Sequence, residues 1–153
     1  MDILARTTVN RGPKPEKVVE FTVPGLTPPS VNHMKLPAVF RDRRTGQRYK
    51  SMRLTPEANA FYTAVAIFAR GRTVAPDDLN ARKKVRYEVW ATIVLGKGQR
   101  GDADNFGKCL MDGLQKARVI HSDAFVIDCH IHVEKNDRKN PRTEYRVERL
   151  EIC

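Results

Sequence analysis

The chain has 153 residues, 41% hydrophobic and 30% charged, enough for one domain with a true hydrophobic core. Its 28 Lys+Arg against 18 Asp+Glu leave a net charge of +10, a surface suited to a polyanionic partner. The longest apolar run, AVAIFA at 64–69, is too short to span a bilayer, MDILARTTVN lacks the plan of a secretory leader, and Cys109, Cys129 and Cys153 show no CxxC spacing. A cytosolic protein without disulfides or a cysteine zinc site is expected.

Residues 1–17 are polar and read as a flexible basic tail, leaving 18–153 as the folded domain. VVEFTVPG alternates, with Val19, Phe21 and Val23 on one face, and predicts a half-buried strand ending at Pro24-Gly25. The proline-rich and basic stretch that follows, to about Met52, predicts a long loop with a turn at Thr45-Gly46. Its cluster RDRRTGQRYK offers Arg41, Arg43, Arg44, Arg48 and Lys50 to phosphate. A helix is expected from Thr55 as cap, with Pro56 at its first position, to about Arg70 before Gly71, burying Phe61, Val65 and Phe68.

VRYEVWATIVL is apolar on both alternating faces and predicts a central strand. GKGQRG then forms a basic turn, adding Lys97 and Arg100 to the phosphate contacts. A second helix should start at Asp104 as N-cap and bury Phe106, Cys109, Leu110, Leu114 and Ala117, with Lys108 and Asp112 off that stripe. FVIDCHIHVEK predicts a strand with Asp128, His130, His132 and Glu134 on one face, and TEYRVERLEI a final strand whose alternation slips near Arg149, at a bulge. The sum is an α+β domain, a mixed β-sheet packed with two main helices.

Asp102 and Asp104 stand out in so basic a chain. At i and i+2 of an extended segment two carboxylates point the same way, about 7 Å apart, and can converge on one ion. The helix start suits anionic side chains, and hard oxygen ligands favour Mg²⁺ or Mn²⁺ over zinc. The plain alternative is a surface loop acid followed by a helix cap. Asp128, His130 and His132 have the right chemistry for zinc, but they spread over roughly 13 Å of one strand, more than one ion spans. A solvated or DNA-facing strand surface is the expected reading there.

The segment DADNFGKCLMDGLQKARVIHSDAFVID, 102–128, resembles the core motif of the RusA family of Holliday-junction resolvases: an Asp-x-Asp-Asn step into a helix, a Lys one turn on, an Asp-x-Leu, then an Asp before a strand. PPSVN at 28–32 is a weaker match to the family's N-terminal segment. The resemblance implies a RusA-like homodimer, an endodeoxyribonuclease that uses Mg²⁺, with Mn²⁺ able to substitute, to resolve four-way DNA junctions by paired nicks. It implies Asp102, Asp104 and Asp123 as catalytic metal ligands, with Asp123 brought back toward the helix start, and Asn32 approaching the same site. Lys108 is implied as a base or phosphate contact; a solvated lysine paired with Asp104 or Asp112 is the alternative. Departures are Ser122 where many members carry a second acid, and His33 and Met34 after the PPS-N segment. Family members of this size are often bacterial or phage-encoded. The rival functions are a non-catalytic nucleic-acid-binding module and a nuclease for other branched DNA or RNA.

Overall fold

A computed structural model describes residues 14–150 of the chain. Most of the expected tail, 1–13, and the last three residues, Cys153 included, lie outside the described residues. Six strands form: β1 (Pro15–Pro24), β2 (Lys35–Arg41), β3 (Arg48–Leu54), β4 (Tyr87–Val94), β5 (Val126–Glu134) and β6 (Arg142–Leu150). Two helices, α1 (Pro56–Ala69) and α2 (Ala103–Lys116), complete the domain. The main sheet has the order β1-β6-β4-β5. Its first three strands pair antiparallel, and β5 runs parallel to β4, so the sheet is mixed as expected.

Period-2 alternation sorts the two faces. Val19, Phe21 and Val23 of β1, Tyr145 and Val147 of β6, and Tyr87, Val89, Ala91 and Ile93 of β4 are buried in one core with Phe61 and Val65 of α1 and Phe106, Cys109, Leu110 and Leu114 of α2. Gly113 lies where α2 packs on Phe61 and Val65 of α1. A Cβ there would meet Phe61 and Val65 at 3.4 Å each, so a larger side chain would push α1 and α2 apart. Tyr145 stacks on Phe21 at 5.0 Å and donates its buried hydroxyl to the Leu110 carbonyl at 3.1 Å, which pins α2 to the sheet.

α1 starts as its sequence dictates: Thr55 Oγ1 accepts from Ala58 N at 3.2 Å and Pro56 stands at the first position. Its apolar stripe includes Phe61 and Val65, but Phe68 is 42% exposed, because the alanines Ala58, Ala64 and Ala69 complete the buried face instead. β4 is central and buried along nearly its whole length.

Three further expectations change. The stretch read as a long loop is a two-stranded antiparallel ribbon, β2 with β3, whose turn does contain Thr45 and Gly46. The N-cap of α2 is Asp102, and Asp104 sits in the first turn. The irregularity foreseen near Arg149 is present, but the extra residue belongs to β1, where the register shifts between Pro15 and Lys17 opposite Leu150 and Arg149. On β5, an edge strand, Cys129 is exposed.

Candidate active site and nucleic-acid interface

The chain reaches the acid pair through a shaped turn. Gly98 has φ 79° and Gly101 φ 153°, both in the region where glycine is favoured. At Gly101 a Cβ would sit 2.3 Å from Phe106 Cζ, so only glycine lets the backbone pass over that ring and deliver Asp102 to the head of α2. Gln99 Oε1 accepts from Gly96 N at 2.6 Å and from Thr27 Oγ1 at 3.2 Å. This ties the turn to the PPSVN segment, and the two line one cleft with Phe106 beneath. The single 3-10 turn that holds Asn32 packs against α2, and Asn32 is exposed on it.

Asp102 occupies the N-cap position, yet its side chain accepts no capping hydrogen bond. An N-cap aspartate normally takes a first-turn N–H; here the carboxylate is left uncommitted. Asp104 is exposed, and among the described residues neither acid is engaged by another side chain. Lys108 is 58% exposed and binds Asp112 Oδ1 at 2.9 Å. That hydrogen bond, then the Asp112 charge, and more weakly the charge of Asp123, hold Lys108 above the ordinary lysine range against a small opposing effect of burial. Tyr62 donates to the other Asp112 oxygen at 3.4 Å, and burial pushes the tyrosine well above its usual range. Asp112 is thus held from two helices and in turn holds Lys108 as a cation.

Asp123 opens a 3-10 turn before β5, where Ser122 Oγ accepts from Ala124 N at 3.2 Å. Its backbone N donates to Gln115 Oε1 at 3.0 Å. The connection from α2 does not bring Asp123 back toward the helix start. β5 begins beside Tyr87, the start of β4, while α2 begins past the end of β4. Asp123 meets α2 at Gln115, eleven residues beyond Asp104, and its charge acts on Lys108 between the two. Asp102, Asp104 and Asp123 do not form one ligand group within the described chain.

The group that does form lies on the sheet face opposite the helices. Ligand atoms of Glu88, Asp128 and His130 fall within 4.8 Å of one another, His130 Nε2 donates to Glu88 Oε1 at 3.1 Å, and the His130 ring stacks on Trp90 at 5.1 Å. His132 is not part of it and binds Glu134 at 3.1 Å. The single-strand reading of this face missed Glu88, because the pairing of Glu88 with Asp128 depends on strand register.

The β2–β3 ribbon stands off the sheet and carries the arginine cluster. Arg41 is paired directly with Arg48, and Val39 with Lys50. Like charges opposed across a ribbon destabilise it unless an anion lies between them. The one acid of the turn, Asp42, is spent on the turn itself, accepting from Arg44 N at 2.8 Å. Arg43 and Arg44 are exposed beside it. Phe40 and Tyr49 stack at 5.7 Å, and Tyr49 is half exposed. Lys97 and Arg100 lie on the glycine turn before Asp102, also exposed. No helix among the described residues is long and apolar enough to cross a membrane.

An uncommitted acid pair at a helix head, a lysine one turn on and a projecting cationic ribbon are groups that phosphodiester cleavage can use. The chain belongs to the RusA family: the model of that family, endodeoxyribonuclease RusA, matches residues 36–148 of the 153. It is therefore a nuclease domain of the endodeoxyribonuclease kind. No curated protein matches the chain significantly.

Proposed function

We propose that the protein is a homodimeric, Mg²⁺-dependent endonuclease that resolves four-way DNA junctions by paired symmetric nicks. The observation that carries the metal role is the N-cap acid that does not cap: Asp102, with Asp104, offers hard oxygen donors that no side chain among the described residues claims. Asp123 is the third carboxylate. Because Asp123 meets α2 at Gln115 and the three acids form no single ligand group within the described chain, we assign the complete set to two chains, Asp102 and Asp104 of one protomer with the partner's Asp123. Bound Mg²⁺ would polarise the scissile phosphate and supply the attacking water.

The rest is the work of this chain's residues. Lys108, held protonated by Asp112, suits a phosphate contact that offsets negative charge developing in the transition state, rather than a base. Arg41, Arg43, Arg44, Arg48 and Lys50 on the ribbon, with Lys97, Arg100 and Asn32 near the acids, contact the arms. A dimer presents two such sites, as paired nicking needs.

Asn is nearly isosteric with Asp, so Asp102→Asn and Asp123→Asn should fold normally and each lose junction cleavage by orders of magnitude in Mg²⁺. Mixing the two inactive variants restores one intact site per heterodimer, and a quarter to a half of wild-type nicking should return, as nicked circles from a cruciform plasmid. Near wild-type cleavage by the single variants would remove the metal role. Inactive variants that no mixing rescues would overturn the shared site.

A further inference from the structure

An open cleft of about 700 Å³ lies at the C-terminal end of α2, its wall including Arg72, Arg82, Gln115, Arg118, His121 and Asp77. Three guanidinium groups against one carboxylate make it cationic. Arg72 Nη1 donates to the Glu20 carbonyl at 2.7 Å and Arg82 Nε to the Pro76 carbonyl at 2.8 Å. These acceptors are neutral, so they fix the arginines in place without cancelling their charge. Arg118 is exposed and, among the described residues, its side chain has no hydrogen-bond or ion-pair partner.

The backbone of Arg118 is a separate observation. α2 closes with Arg118 N donating to Gln115 O at 3.1 Å and Val119 N to Leu114 O at 3.0 Å, the paired bonds of a Schellman motif. The residue at the crossing has φ 60°, a left-handed conformation that most helix ends give to glycine. Here it is an arginine, at a cost of about 1–2 kcal/mol. α1 also ends on an arginine at positive φ, Arg70 at 24°, but leaves the fully left-handed position to Gly71 at φ 73°. Strain of this kind is accepted where a side chain is needed, and the side chain in question is an unpaired cation on a cationic wall.

The cleft also adjoins the proposed chemistry, since Gln115 on its wall accepts from the backbone N of Asp123. We infer that the cleft binds a phosphodiester group of the substrate DNA, gripped by Arg72, Arg82 and Arg118, beside the phosphate to be cut. The inference rests on the nuclease reading above and adds a binding subsite at the opposite end of α2 from the glycine turn.

The test is the salt dependence of binding to a fluorescent four-way junction in chelator, with thermal unfolding of the same samples. Arg118→Gly should keep or raise the thermal midpoint while lowering the log–log salt slope by about 0.9, the loss of one phosphate contact. Arg118→Lys should keep the slope, and Arg72→Gln should lower it as Arg118→Gly does. Wild-type slopes in both Arg118→Gly and Arg72→Gln would overturn the inference. The readout does not involve cleavage, so the two readings fail separately. Active Asp102→Asn would remove the metal site and leave the cleft, whereas unchanged slopes would remove the cleft and leave the metal site.

Discussion

Gly101→Ala tests whether the route of the chain into α2 is fixed by one side chain. The added methyl carbon would lie 2.3 Å, 2.8 Å and 3.2 Å from Cζ, Cε2 and Cε1 of Phe106. Carbon atoms rest at about 3.5–4.0 Å, so the loop or the ring must yield by more than ~1 Å. Phe106 is 2% exposed and packed in the core, so the ring has no open direction in which to move. Overpacking of this sort costs about 1–3 kcal/mol, and a non-glycine residue at such a φ costs a further ~1–3 kcal/mol. A total of about 2–6 kcal/mol corresponds to a fall in thermal midpoint of roughly 5–20 °C for a domain of this size.

Phe106→Leu alone should cost about 1 kcal/mol. In the double variant the overlap disappears while the backbone strain stays, so urea unfolding of all four proteins should show a coupling energy of about 1–3 kcal/mol. Cleavage by Gly101→Ala should fall more than its folded fraction does, because Asp102 is the next residue. A single variant within about 0.5 kcal/mol of wild type, or a strictly additive cycle, would show that Phe106 does not fix the route.

Replacing Arg41, Arg43, Arg44 and Arg48 by Gln should leave the thermal midpoint unchanged or raise it, since the Arg41–Arg48 opposition is relieved on a ribbon that stands off the sheet. The same variant should flatten the salt slope of junction binding by up to ~0.9 for each phosphate released; an unchanged slope would take the ribbon off the DNA. Asp112→Asn removes the largest cause of the raised Lys108 pKa, so NMR titration of the Lys108 side chain should move it down. The folded pKa lies above the unfolded one, so the stability lost in Asp112→Asn should be constant below the ordinary lysine pKa of about 10.4 and fade as pH rises through the folded value. A stability difference that grows above pH ~11 would contradict the pairing.

Several elements could be read directly from the residues because local chemistry decides them. Thr55-Pro56 sets the start of α1 without help from the rest of the fold, and the two-sided apolar run of β4 follows from its central place. The β2–β3 ribbon could not be read in this way. Among the described residues its strands pair only with each other and expose both faces, so no alternation toward a core marks KLPAVFR or RYKSMRL, and Pro37 inside β2 argues against a strand. Asp102 and Asp104 both satisfy the residue rule for a cap, and only the turn geometry set by Gly101 chooses between them.

The acid pair and Lys108 were visible in sequence as a motif, but the distance to Asp123 depends on the crossover from α2 to a parallel β5. Strand pairing likewise hid Glu88 beside Asp128. Arg118 carries a local signal, since α2 runs through QKARVI with no glycine at its end.

The strand order has a consequence for biosynthesis. β6 is the last of the described strands to leave the ribosome, yet it lies between β1 and β4, and its Tyr145 hydroxyl reaches into α2. Until Arg142–Leu150 has emerged, β1 has no neighbour in the main sheet and β4 pairs only with β5. Long-range pairing of this kind is slow and comes late. From the synthesis of Asp102 until β6 emerges, the chain therefore carries its acid pair and its cationic ribbon on an open, unclosed sheet. A nascent or prematurely terminated copy has the residues of a nuclease without the framework that aligns them.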